Sequence, residues 1–289
     1  MMSDAAIPPG ACDCHVHLFG PTGTYSFAPD RVYTPGNADE PTLLALHERL
    51  GVSRVVLVQP SPYGTDNSRL LAGLARLGSR ARAVAVVEGD ASDDHLARLS
   101  QAGVRGLRLN VDTQGIIDPE AIWASLREEA ARCAGLGWHV QILTRLSVIA
   151  ALEHRLATLP APLVIDHFGR PDLDQGVDQP GFVSLLRLVR TGTVWVKLSS
   201  IGRLCGAQQD RIAPFVKALI ETRADRLVWG SDWPHTGGGR GGRPAGEIEP
   251  FAEVDDAESL AALARAVGDP GPLRGILVDN PARLYGFEG

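Results

Sequence analysis

Three short stretches of the 289-residue chain carry groups that could do chemistry together. They are Asp13-Cys14-His15-Val16-His17, Asp166-His167-Phe168-Gly169-Arg170-Pro171 and Trp229-Gly230-Ser231-Asp232-Trp233-Pro234-His235. Imidazoles and carboxylates accept and return protons at moderate pH, and both ligate divalent metals. If His15, His17, His167 and Asp232 meet, they can activate water against a carbonyl or hold one metal ion. Arginines accompany them, in Arg105-Gly106-Leu107-Arg108-Leu109-Asn110 and at Arg203 after Ser199-Ser200-Ile201-Gly202. A guanidinium fork suits recognition of a carboxylate, because it can hold both oxygens at once.

Something must bring these distant stretches to one place. Short β-branched apolar runs recur along the chain and predict strands at 11–16, 54–58, 82–87, 104–109, 138–143, 163–166, 194–198 and 227–230. Between them lie amphipathic stretches such as TLLALHERL, NSRLLAGLARL, DDHLARLSQA, EAIWASLREEAARCAG and DRIAPFVKALIE, several opened by Pro, Asp or Asn and closed by Gly. Regular β-then-α alternation with near-continuous apolar strands predicts a parallel sheet with helices outside. Eight such units over this length predict a closed α/β (β/α)8 TIM barrel spanning 11–289, preceded by a flexible arm at 1–10. In that fold the C-terminal strand ends converge, and the three stretches sit at the ends of strands one, six and eight. Alternation along strand one points Asp13, His15 and His17 to one face, and turns Cys12 and Cys14 into the sheet–helix layer.

The remaining signals have blander readings. His47, His95 and His154 fall on helices and read as exposed positions, while His139 opens a strand and reads as structural. Asp166 and Lys197 receive no assignment. The GGGRGG run within 237–246 matches a dinucleotide-loop spacing only formally, because it neither follows a strand directly nor opens a helix. It reads as a flexible loop by the active site. A net charge of −6 without a Lys/Arg-rich run argues against nucleic-acid or membrane partners. The first ten residues have neither a basic start nor an apolar h-region, which predicts a cytoplasmic protein. Four cysteines in a chain this long predict free buried thiols. Nothing in the sequence specifies an oligomeric state.

Eight ordered motifs, from about residue 11 to residue 287, resemble the lactonases of the amidohydrolase superfamily, the group typified by 2-pyrone-4,6-dicarboxylate lactonase. They are DCHVHLFGP, FAPDRVYTP, QPSPYGTDN, GLRLN, IDHFGRPD, WVKLSS with Arg203, WGSDWPH and VDNPARLYGF. The resemblance implies a hydrolase that opens or closes a lactone ring on a small acidic substrate, with Asp232 as general base. It implies that His15, His17 and His167 surround the scissile carbonyl, and that Tyr33, Ser61, Arg108 and Arg203 hold the substrate. It also implies catalysis without a metal, since strands four and five end without a lysine or glutamate bridge and strand seven without a further histidine. Zinc on His15, His17, His167 and Asp232 is the alternative, in a metal-dependent hydrolase or decarboxylase, and a lactone isomerase is a close variant. A non-catalytic binding barrel would not need both histidines and the aspartate. Three departures, Gln114, Leu143 and Gly237, stand where the group offers an arginine, a tyrosine and an asparagine. They predict a substrate other than the pyrone dicarboxylate, one with a single anionic group.

Overall fold

The computed structural model describes residues 7–237 and 243–288. Eight strands form one parallel sheet in chain order: β1 Cys12–Val16, β2 Arg54–Val58, β3 Ala81–Ala85, β4 Val104–Asn110, β5 His139–Leu143, β6 Leu163–Ile165, β7 Val194–Ser199 and β8 Leu227–Gly230. The sheet closes just beyond β8, where Asp232 N–H donates to His15 O at 2.9 Å and His17 N–H donates to Trp233 O at 2.9 Å. Helices lie between the strands, giving the expected (β/α)8 barrel. Their ends follow local chemistry. In α1 (Glu40–Leu50) the Asp39 carboxylate accepts from Thr42 N–H and Gly51 closes the helix in the left-handed region. Asp118 with Pro119 opens the helix Pro119–Leu136, and Gly137 ends it in the same way.

Two apolar layers follow from strand alternation. One face of the strands packs against the helices through residues such as Leu57, Ala83, Leu107, Ile142, Val196 and Trp229. The other face fills the barrel with Cys12, Cys14, Val56, Val84, Val164, Trp195 and Val228, closed off by Tyr285 and Phe287 from the chain end. The expected side for the cysteines is therefore corrected: Cys12 and Cys14 lie inside the barrel. Asp13, expected beside the histidines, instead bonds Ser231 and meets His47 of α1 at 3.3 Å. The cause is a register shift against β2 between Asp13 and Val16, which interrupts the two-residue period and lets consecutive Cys14 and His15 both face inward. All four cysteines are free and buried, as expected.

Three more findings refine the expectations. His47 is buried, because Asp13 pulls its imidazole against the sheet, while His154 is exposed and His95 half-buried. Of the arm placed at 1–10, residues 7–10 pack on the barrel, with Ile7 against the core and Gly10 O accepting from Arg54 Nε at 2.7 Å. Residues 1–6 and the 238–242 part of the Gly-rich run lie outside the described residues. A two-residue parallel ladder pairs Thr34–Pro35 with Ile248–Glu249, and Thr34 Oγ1 donates to Ala245 O at 2.6 Å. It ties the Tyr33 segment to the segment after β8, and it is too short to leave a periodic signal.

Candidate active site

The strand ends surround a cavity of about 400 Å3 whose lining includes His17, Tyr33, Ser61, Arg108, His167, Arg203 and Asp232. His15 lies directly beneath, fully buried, with Nε2 at 3.3 Å from His17 Nε2. The four expected catalytic residues and the four expected substrate-binding residues are thus in one place. At the barrel seam the backbone bond from Asp232 to His15 holds the two side chains opposite each other. Gly230 is required for that approach: a Cβ there would meet His15 Cβ at 2.6 Å.

The two oxygens of Asp232 have different surroundings. Oδ2 accepts from Ser200 Oγ at 2.8 Å and Arg203 Nη1 at 3.4 Å. Oδ1 faces Nε2 of His15, His17 and His167 at 3.7, 3.8 and 3.7 Å, beyond direct hydrogen-bonding distance. Each imidazole is braced through its other nitrogen. His17 Nδ1 meets Val58 O at 2.8 Å, His167 Nδ1 meets Ser199 Oγ at 2.8 Å, and His15 Nδ1 lies 3.3 Å from Asp166 Oδ1 and 3.5 Å from Lys197 Nζ.

A buried charged layer, which the sequence reading left unassigned, supports this set from below. Asp166 Oδ2 accepts from Gln141 Nε2 at 3.0 Å and Arg108 Nη2 at 3.4 Å, and Lys197 Nζ donates to Gln141 Oε1 at 2.7 Å. The signal for it was inward parity: Gln141 and Lys197 sit two residues before the ends of the observed strands β5 and β7, on the barrel-facing side.

Burial sets the protonation states. It lowers the His17 imidazole to about 4, aided by the Arg108 charge, and also lowers His15 and His167. Burial alone would raise the Asp232 carboxyl, but His167, His15, Arg203 and His17 outweigh it and hold the group below the usual carboxylate range. Asp166 is likewise held down, with His15 and Lys197 overcoming burial. Three neutral imidazoles therefore face an ionised carboxylate at neutral pH.

Backbone conformation is unusual here. Among the described residues, the non-glycine positions with positive φ are His167, Phe168, Arg170, Ser200, Asp232 and His235, all at the ends of β6, β7 and β8. The left-handed region costs a non-glycine residue about 1–3 kcal/mol, and such strain collects at functional sites.

The rim holds what sequence reasoning missed. Arg145 and Arg170 line the mouth and share the Asp112 carboxylate, Arg145 through Nε at 2.6 Å and Arg170 through a close ion pair. Loops carry both arginines, so strand periodicity gave no sign of where they point. Leu143 lines the cavity, Gln114 is exposed and Gly237 is half-buried.

The Amidohydrolase family model matches residues 12–287. The chain belongs to this family. The amidohydrolase is 36% identical to 4-sulfomuconolactone hydrolase from Rhizobium radiobacter, over 97% of this chain and 91% of that protein. It is equally 36% identical to 2-pyrone-4,6-dicarboxylate hydrolase from Comamonas testosteroni, over 96% of this chain and 91% of that protein. A crystal structure from Pseudomonas putida, provisionally named a 2-pyrone-4,6-dicarboxylic acid hydrolase, superposes with a TM-score of 0.82 at 35% identity, covering 98% of this chain and 99% of that one. An amidohydrolase from Burkholderia multivorans solved with zinc shares the fold, with a TM-score of 0.75 at 19% identity over 96% of this chain and 99% of its own. In the present amidohydrolase the donor atoms of His15, His167 and Asp232 lie within 4.8 Å of one another, and His17 Nε2 adjoins them. This donor set is one that a divalent ion accepts. No helix among the described residues is long and apolar enough to cross a membrane.

Proposed function

We propose that this amidohydrolase is a cytoplasmic lactonase that opens, and in reverse closes, the ring of a small carboxylated lactone. The observation that carries the reading is the arrangement of Asp232: one oxygen is anchored by Ser200 and Arg203, and the other faces three neutral imidazoles at the floor of an arginine-lined cavity. Relatives acting on 4-sulfomuconolactone and 2-pyrone-4,6-dicarboxylate support the substrate class.

In this mechanism a water molecule attacks the lactone carbonyl carbon while Asp232 Oδ1 takes its proton. The carbonyl oxygen becomes an oxyanion held by Arg108 and an imidazole N–H, charge that preorganised donors stabilise in a dry site. The ring C–O bond then breaks, and the leaving oxygen recovers the proton from Asp232. The products are a carboxylic acid and an alcohol on one open chain. Tyr33, Ser61 and Arg203 hold the substrate.

Catalysis without a metal is the favoured reading. Strands β4, β5 and β7 end in Asn110, Leu143 and Ser199, which supply none of the bridging or additional ligands that metal-dependent members often use. Zinc is the second reading, carried by the converging Nε2 atoms. It would be held by His15, His17, His167 and Asp232, and when bound it would polarise the carbonyl as a Lewis acid.

The rim adds to the charge that the site offers a substrate. Arg108, Arg203 and Lys197 face Asp166 and Asp232, leaving one surplus positive charge near the histidines, which suits one carboxylate. Arg145 and Arg170 against Asp112 leave another at the mouth. A lactone with a single acid group fits the inner site, and a second acid group would have the rim for a partner despite neutral Gln114 and Leu143.

A panel of mono- and dicarboxylated lactones, followed by ring-opening absorbance or pH change, tests the reading. Turnover of at least one acidic lactone is expected. Hydrolysis of amides or decarboxylation in place of lactone opening would overturn it, and a product still cyclic would mark an isomerase.

A further inference from the structure

Lys197 has no place in the mechanism above, yet its ammonium is fully buried inside the barrel, directly under His15. We propose that Lys197 is a positioning residue that fixes which nitrogen of His15 carries the proton, so that His15 meets the lactone carbonyl as a hydrogen-bond donor. The tautomer assignment stands on geometry alone; its use against a carbonyl rests on the lactonase reading.

An ammonium has three N–H donors and no acceptor. In Lys197 they reach Cys14 O at 2.8 Å, Gln141 Oε1 at 2.7 Å and His15 Nδ1 at 3.5 Å. Gln141 is oriented by its other end, since its Nε2 donates to Asp166 Oδ2 at 3.0 Å, so its oxygen is the atom turned to Lys197. A ring nitrogen facing an ammonium must offer its lone pair. Asp166 Oδ1 competes for Nδ1 from 3.3 Å, but a hydrogen drawn to it would leave His15 Nε2 as a lone pair facing His17. With Nδ1 bare, a neutral His15 carries its hydrogen on Nε2.

The other end of the chain requires the same answer. His17 Nδ1 lies 2.8 Å from Val58 O, and a carbonyl can only accept, so the hydrogen of His17 is on Nδ1 and its Nε2 is bare. His15 Nε2 is 3.3 Å from that bare nitrogen. A hydrogen on His15 Nε2 satisfies the pair, whereas a hydrogen on Nδ1 would set two lone pairs against each other. Lys197, His15, His17 and Val58 O thus form one directed sequence of donors and acceptors, in which the ammonium is the group that holds Nδ1 bare against the pull of Asp166. When substrate enters, the Nε2–H of His15 can turn from His17 to the carbonyl oxygen, where oxyanion charge develops. Zinc ligation through His15 Nε2 would require the opposite tautomer, with the hydrogen on Nδ1 beside both Asp166 and the ammonium.

The test is nitrogen-15 NMR of the histidine rings in the protein as purified, in the wild type and in Lys197→Met and Lys197→Gln. The wild type is expected to show His15 protonated at Nε2 and bare at Nδ1. Lys197→Met should move the hydrogen to Nδ1 and lower kcat about 10²-fold, the loss typical of one oxyanion donor, with KM little changed. Lys197→Gln, whose amide can still donate, should keep the wild-type tautomer and most of kcat. A wild-type spectrum with the hydrogen on Nδ1, or a folded Lys197→Met with an unchanged tautomer, would overturn the proposal. If Lys197→Met does not fold, the wild-type and Lys197→Gln spectra decide. Because the spectra need no substrate, failure of the whole lactone panel would sink the lactonase reading and leave the tautomer result standing.

Discussion

The amide of Asp232 donates to the carbonyl oxygen of His15 across 2.9 Å, so the bond that closes the barrel is also the one that sets carboxylate against imidazole. The side chains then meet at 3.7 Å between Oδ1 and Nε2. Because the seam is made by backbone, the arrangement does not depend on either side chain attracting the other. The chemistry can therefore be removed while the architecture stays.

Asp232→Asn is expected to do that. It keeps the shape and the Ser200 contact but cannot take a proton, so kcat should fall by about 10² or more, the contribution of a positioned general base. Circular dichroism and melting should show a folded protein. Near-wild-type turnover by the folded variant would remove Asp232 from the role of base.

Asp13→Ala should do the reverse. Asp13 is buried, accepts from His15 N–H, Ser231 N–H and Ser231 Oγ, and meets His47, so it knits β1 to the end of β8 and to α1. Leaving those groups without a partner should cost about 3–5 kcal/mol of stability, the range for breaking a buried charged network. Urea unfolding measures it, and a loss below about 1 kcal/mol, the scale of an exposed pair, would show the network to be dispensable.

The rim arginines should act on substrate charge. Arg145→Met and Arg170→Met are expected to raise KM for a dicarboxylated lactone by about tenfold, the equivalent of 1.4 kcal/mol, while changing KM for a monocarboxylated one little. Steady-state kinetics on such a pair of lactones checks this. Equal effects on both substrates would place the second acid group elsewhere, with Arg243 among the described residues as a candidate. Arg240 lies outside them.

Metal content gives a separate outcome. Protein purified without added metal is expected to retain turnover after chelation and to contain less than one equivalent of zinc by elemental analysis. Stoichiometric zinc with chelator-sensitive activity would make the zinc reading the correct one.

His139 predicts a pH dependence of stability. Buried against Tyr285, its imidazole is lowered by burial, aided by the Lys197 charge, to about 3 from an ordinary 6.5. The unfolded chain therefore binds a proton that the folded chain refuses, and stability falls as pH drops from 6.5 toward 3. Each pH unit inside that window should cost about 1.4 kcal/mol. Comparing urea midpoints of wild type and His139→Leu at pH 7 and 5 isolates the effect: the variant should lose less stability on acidification. Parallel losses would exclude His139 as the source.

What the sequence made legible follows from the physics of a barrel. Near-continuous apolar runs between turns mark the strands, and closure brings their ends together, so His15, His17, His167 and Asp232 could be assembled from order along the chain alone. Tyr33 and Ser61 came instead from motif resemblance, because their segments are a two-residue ladder and a single helical turn. Alternation misled where β1 slips register, which put Asp13 and the two cysteines on the wrong sides. His47 was misplaced for a related reason: its burial depends on Asp13, a partner that helical periodicity does not see. The rim arginines depend on loop paths, and the left-handed conformations at Ser200 and Asp232 are imposed by tertiary packing, against residue preference.

Closure at the β1–β8 seam has a consequence for biosynthesis. The two histidines of β1 leave the ribosome more than two hundred residues before Asp232, and Tyr285 and Phe287, which seal the floor of the barrel, come later still. A nascent chain can fold its early βα units, but it holds no juxtaposed acid–base pair until the final strand docks against the first. Chains halted before that point are expected to be inert toward cellular esters, so that hydrolytic reactivity arises only in molecules whose synthesis is complete.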